Sequence, residues 1–243
     1  MTERRAWALV ALALLPAAAG AAEGRYAACV ALAESAPAGA LEAAERWLAE
    51  GGDTDAARHC RALALVGVGR AGDAAAELTR LADGAEAPPA VRASLYEQAG
   101  NAWLLGGRAD LAKAAFDRAL ALAPGAVEAH IDRARAEAAL GDWWAAVEDL
   151  GRALDAEPAR DDALALRASA WRRLEAWELA GDDVARALAV NPANADALLE
   201  RAILALHAER IDAARVDLGR VLMLAPGGVA ASLARDYLAE LDR

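Results

Sequence analysis

From Ala93 to Pro226, apolar side chains recur at helical spacing in two bursts every 34 residues, four times over without an insertion or deletion. Counting the units from Ala93, Val127, Asp161 and Ala195, the bursts fill positions 2 to 14 and 18 to 31. Polar turns divide them, as at Leu105-Gly106-Gly107 and Leu140-Gly141-Asp142. Position 20 is always alanine (Ala112, Ala146, Ala180, Ala214), and position 24 is bulkier (Phe116, Leu150, Val184, Leu218). Position 27 is Ala119, Ala153, Ala187 and Val221. Alanine lets the second helix lie close to the first, and the bulkier residue fills the space beside it. Proline at position 32 (Pro124, Pro158, Pro192, Pro226) cannot continue a helix and fixes where the second one stops. The pattern predicts an all-α protein, an α-solenoid of stacked helix-turn-helix repeats in which each unit buries its apolar face against its neighbours.

One unit combines Tyr96, Gly100, Trp103, Gly107, Ala112, Phe116, Ala119 and Pro124, and the period then holds for three more. In motif and period the chain resembles the tetratricopeptide repeat (TPR) family over 134 of its 243 residues, a resemblance that implies a right-handed α-solenoid. Departures are modest. Position 8 is Gly100 once and then Ala134, Ala168 and Ala202, and Glu175 and Glu209 replace the turn glycine in the last two units. Aromatics at position 11 (Trp103, Trp171) and position 17 (Trp143, Trp177) are expected in the core.

The rest of the chain extends this array. Between residues 23 and 92 two worn units are expected. One starts near Asp55 with its turn at Gly69-Arg70, and an earlier one is broken by Pro37 and Gly39, with Trp47 packed inward. The regular units then occupy 93–126, 127–160, 161–194 and 195–228. A last helix over 229–243 carries Val229, Leu233, Tyr237 and Leu241 every fourth residue, and is expected to cover the end of the stack with that stripe.

Residues 1–22 read as a Sec-type signal peptide: a basic start at Arg4-Arg5, an apolar core from Ala6 to Leu15, and a small-residue tail to Ala22. The apolar core is short for a permanent anchor. This predicts a bacterial periplasmic or secreted protein; an uncleaved N-terminal anchor is the other reading. Composition changes the picture little, since abundant alanine and few β-branched residues favour helices. Charge narrows the partners. The net charge is −11, and becomes −12 without residues 1–22, which suits neither nucleic-acid backbones nor anionic membranes. The two cysteines, Cys29 and Cys60, fall on first helices of successive worn units, which lie side by side in a solenoid. In an exported protein they predict a disulfide worth about 3–4 kcal/mol in the chain-entropy model, with two free buried thiols as the alternative.

Chemistry finds little support. Gly67-Val68-Gly69-Arg70-Ala71-Gly72 spells a dinucleotide fingerprint, but it falls in an inter-helix turn with no preceding strand. His59, His130 and His207 lie far apart without ligand-spaced partners and read as exposed or partly packed. No cofactor, metal site or catalytic group is expected. Arginine at position 7 (Arg133, Arg167, Arg201) and aspartate at position 23 (Asp149, Asp183, Asp217) suggest bridges between packed helices.

The TPR resemblance implies a concave groove lined by the first helices, in which partners lie as extended or helical segments. Groove positions here include Gln98, Asn101, Leu105, Asp132, Arg135, Ser169, Arg172, Arg173, Glu200, Ile203 and His207, beside Glu97, Leu104, Ile131, Leu166, Leu199 and Leu206. The lysines by which the family's chaperone-tail clamps hold a terminal carboxylate are missing, and Asn101 alone matches them. Arg135, Arg172 and Arg173 are the candidates for holding an acidic segment. The expected function is a non-enzymatic, monomeric adaptor that binds a protein or peptide partner. The alternatives are an accessory subunit of an envelope enzyme or assembly complex, and a self-associating structural protein.

Overall fold

The computed structural model describes residues 19–51, 54–84 and 86–243; the expected signal segment up to residue 18 lies outside them. The described residues form thirteen helices and no strand. The first six are α1 (Ala19–Ser35), α2 (Pro37–Ala49), α3 (Asp55–Gly67), α4 (Ala71–Gly84), α5 (Pro89–Leu105) and α6 (Ala109–Leu122). After them come α7 (Val127–Leu140), α8 (Trp143–Ala156), α9 (Asp161–Arg173), α10 (Trp177–Val190), α11 (Ala195–His207), α12 (Ile211–Leu224) and α13 (Val229–Leu241). They make two compact units, one running to Ala136 and the other from Glu137 to Arg243.

Turn chemistry sets the helix ends. The Arg70 N–H bonds the Leu65 carbonyl and the Gly69 N–H bonds Val66, which closes α3 with two otherwise unpaired carbonyls satisfied. The same pair of bonds closes α5, α7, α9 and α11. The closing residue has φ near +80° at Gly69 and Gly141 and +72° at Gly107, but glutamate takes the same left-handed conformation at Glu175 (φ 59°) and Glu209 (φ 58°). Starts are capped by side chains where the sequence supplies them: Thr54 for α3, Asp142 for α8 and Asn194 for α11. Helices α6, α8, α10 and α12 each stop two residues short of a position-32 proline.

Packing follows the small–large alternation. In the unit ending at Ala136, α3 to α6 share one core built on Leu65, Leu78, Leu95, Tyr96 and several alanines. Helix α1 packs on both α2 and α3, joined to α3 by the Cys29–Cys60 disulfide. In the unit from Glu137, α9 packs on α10 and α11, and α11 on α12, around Leu198, Leu218 and Val221. Helix α13 covers α12 and α11 with only the second half of the expected stripe. Ala230, Ala234, Tyr237, Leu238 and Leu241 pack inward, whereas Val229 is 77% and Leu233 41% exposed. Alanine at the contact lets α13 approach closely, and the helix turns to present it.

Candidate functional site

Tyr26, His59 and Gln98 form a chain from α1 through α3 to one face of α5. Gln98 Oε1 lies 2.7 Å from His59 Nε2, and His59 Nδ1 lies 2.7 Å from the Tyr26 hydroxyl. An amide oxygen only accepts, so Nε2 carries the proton and Nδ1 accepts from Tyr26. Burial pushes the Tyr26 hydroxyl up to about 12. Burial also lowers His59, against the opposing hydrogen bond to Gln98. The sequence marked His59 and His130 as exposed or partly packed, yet both are buried, His130 with Nε2 3.0 Å from the Pro124 carbonyl. The polar partners of His59 come from distant segments, so short-range spacing could not reveal them, whereas His130 meets a backbone carbonyl only six residues back.

Further along this face, Asn101 donates to Asp132 Oδ2 at 2.8 Å, and Arg135 donates to Asp132 Oδ1. Glu97 stands beside them half-buried, its carboxyl raised by burial and then by the charges of Asp132 and Glu128. Leu105 is 63% exposed at the end of α5, whereas Ile131 is fully buried and unavailable.

In the second unit, α9 and α11 bring Ser169, Arg172 and Glu200 together. Arg172 Nε and Nη2 donate to the two Glu200 carboxylate oxygens at 2.5 and 3.1 Å, and Nη2 also reaches Ser169 Oγ at 3.4 Å. Burial works to lower the Arg172 guanidinium, but the hydrogen bonds and charge of Glu200 outweigh it and raise it. Arg173 lies 5.3 Å over the Trp143 ring, and His207 stacks on Trp177 at 3.7 Å. Ile203, Leu166 and Leu206 remain partly exposed, while Leu199 is buried. The expected arginine group is thus already engaged: Asp132 holds Arg135 and Glu200 holds Arg172. An incoming carboxylate would compete with internal partners at both.

Two other sequence features resolve into packing. At Gly67 a Cβ would stand 2.4 Å from Pro37 Cβ, and Gly69 takes positive φ, so the fingerprint glycines serve a close helix approach and a turn. The position 7–23 pairs form as double hydrogen bonds at Arg167–Asp183 (2.7 and 2.8 Å) and Arg201–Asp217 (2.7 and 2.7 Å). Arg61–Glu77 makes the same pair at 2.6 Å in the worn unit. Arg133 donates to Asp117 of the preceding unit at 2.8 Å.

An arginine also recurs at position 26: Arg80, Arg118, Arg152, Arg186 and Arg220. Arg80, Arg152, Arg186 and Arg220 lie beside the acid at position 23, and Arg186 and Arg220 also reach the carbonyls of Pro158 and Pro192. The period alone would have found them. Trp103, Trp143, Trp171 and Trp177 are half-buried rather than core, because the ends of the helix pairs leave one ring edge in solvent; Trp47 packs inward as expected.

No family model matches the sequence, nor does any curated protein sequence. Solved structures do match. YrrB, described as a TPR protein with an unusual peptide-binding site, is 19% identical with a TM-score of 0.56, over 81% of this chain and 99% of its own. The fold is that of the tetratricopeptide repeat. A second TPR-like neighbour is MamA (residues 41 to the end) from Desulfovibrio magneticus RS-1, 19% identical with a TM-score of 0.61 over 71% of this chain and 95% of its own. The Cut9–Hcn1 hetero-tetramer of the APC/C gives 17% and 0.65, over 88% of this chain but 42% of that one. Among the described residues, no helix of this chain is long and apolar enough to cross a membrane.

Proposed function

We propose that the chain is an exported, non-enzymatic adaptor that holds a segment of a partner protein against the inner faces of its first helices. The observation that carries this reading is the α9–α11 face. There the Arg172–Glu200 pair is fixed at two points, between partly exposed Leu166, Ile203 and Leu206 and the Trp177–His207 stack. A rigid polar anchor among aliphatic side chains suits a peptide backbone and its apolar side chains. Gln98, Asn101, Leu105, Asp132 and Arg135 offer a second such face on α5 and α7, and Ser169, Arg173 and Glu200 complete the first. Export rests on the signal-like segment and on the Cys29–Cys60 disulfide, which persists best in an oxidising compartment. The peptide-binding site named for YrrB supports the same kind of partner.

Photo-crosslinking amino acids placed at Leu105 and Ser169 in cells test it. The expected result is one discrete adduct protein from these positions and none from outward-facing Asp155. Equal labelling from Asp155, or none from Leu105 and Ser169, would refute the groove reading.

A further inference from the structure

A second surface lies on the opposite side of α9. Along this helix Ser169 and Arg172 point one way, and Arg167 and Trp171, about half a turn round, point the other. There Trp171 meets Trp144 edge to face with ring centroids 5.7 Å apart, and Trp144 is 65% exposed. Beside them a shallow depression is lined by Arg167, Trp171, Leu179, Asp182, Asp183 and Arg186, with Leu179 46% exposed. Trp143 and Trp144 are consecutive on a helix and cannot both face the same way; Trp143 turns toward Arg173 and Trp144 is left outward. An exposed tryptophan packed on a second ring that lines an open depression is the kind of centre on which protein contacts concentrate.

Charge identifies the partner. Arg25 lies over Trp47 at 5.0 Å and Arg173 over Trp143 at 5.3 Å, so the chain covers two of its tryptophan faces with its own cations. For Trp144 no such cation is present among the described residues. Arg167 and Arg186 both turn onto Asp183, and Arg186 also onto the Pro158 carbonyl, so the arginines at the depression are occupied. Asp182 lies at the edge and Glu178, one turn earlier on α10, flanks Leu179; both are exposed. An open indole face with two exposed carboxylates nearby is complementary to an arginine or lysine followed by a large apolar side chain.

We propose that the Trp144–Trp171–Leu179 surface docks a basic amphipathic segment of a partner protein, independently of the inner-face site. An amphipathic peptide of leucine and lysine serves as probe, with its leucine–glutamate counterpart as control, read by fluorescence anisotropy of the labelled peptide. The lysine peptide is expected to bind the full chain. Trp144→Ser with Leu179→Ser, and separately Glu178→Lys with Asp182→Lys, should each weaken binding by about tenfold or more. Ser169→Trp on the inner face should leave it unchanged. The four substituted side chains of the patch are exposed and Ser169 is partly so, and circular dichroism confirms that the variants fold. Absence of binding by the lysine peptide, equal binding by the glutamate peptide, or undiminished affinity in either patch variant would overturn the proposal. So would dimerisation in sedimentation that Trp144→Ser with Leu179→Ser abolishes, since the surface would then belong to a second copy. Loss of binding through Ser169→Trp alone would assign the peptide to the inner face instead.

Discussion

At the scale of single residues, the clearest exchange is between Gly100 and Phe116. A methyl group at Gly100 would stand 2.5 Å from Phe116 Cε1, and that ring is fully buried. The other units have alanine at position 8 and Leu150, Val184 or Leu218 at position 24, so volume moves from one helix to the other without changing the total. Helix propensity favours Gly100→Ala by about 1 kcal/mol. A ring enclosed on all sides cannot give way, so the clash should dominate and destabilise by about 1–3 kcal/mol net. Adding Phe116→Leu should recover most of that loss in urea unfolding. A neutral Gly100→Ala, or a double variant no better than the sum of the singles, would show that the two positions do not share the space. Both halves of this exchange were legible as motif positions, but their contact was not, since the sequence does not say which small residue faces which ring.

At the scale of helices, the charge pairs decide register. Asp183 is 3% exposed and receives two hydrogen bonds from Arg167 on α9 and one from Arg186 at 3.3 Å on its own helix. The unit from Ala93 replaces both pair members with buried alanines, Ala99 and Ala115. Losing both charges together is thus compatible with the same helix packing, whereas losing one strands a buried carboxylate. Arg167→Ala should cost about 2–3 kcal/mol, with Arg186 offsetting part of the damage. Arg167→Ala with Asp183→Ala should cost less than Arg167→Ala alone, a double-mutant cycle read by thermal or urea unfolding. Additive losses would mean that the bridge does not couple α9 to α10. The sequence showed this pair because both members keep the period. It hid Asp132–Arg135 and Arg172–Glu200, because position 6 is acidic in only two of the four regular units and the arginine it meets comes from position 9 in one case and position 12 in the other. In α13 the expected stripe holds only at Tyr237 and Leu241; in the first half of the helix Ala230 and Ala234 make the contact in place of Val229 and Leu233.

At the scale of the whole molecule, a stack joined only through nearest neighbours opens from its ends, so what fastens an end matters more than its share of contacts suggests. Helix α1 contributes few fully buried side chains, Cys29 and Val30 among those described, and is held by the disulfide and by the Tyr26–His59–Gln98 chain. His59 sits in that chain neutral, with its titration held below the ordinary histidine value of about 6.5 chiefly by burial. The unfolded segment therefore binds a proton before the folded one does. Stability from this group is fully present above about pH 6.5 and is lost as the pH falls through the lowered folded value, by at most about 1.4 kcal/mol per pH unit. Hydrogen exchange at pH 7 and pH 5.5, with rates corrected for intrinsic pH dependence, should show protection falling in α1 and α3 while α9 to α12 stay protected. Other groups also titrate on the way down, so His59→Gln supplies the comparison: it should be less stable at pH 7 but lose little further protection at pH 5.5. A variant that loses as much as the parent between the two pH values would place the acid sensitivity elsewhere. Uniform loss across both compact units would show that the end does not open independently.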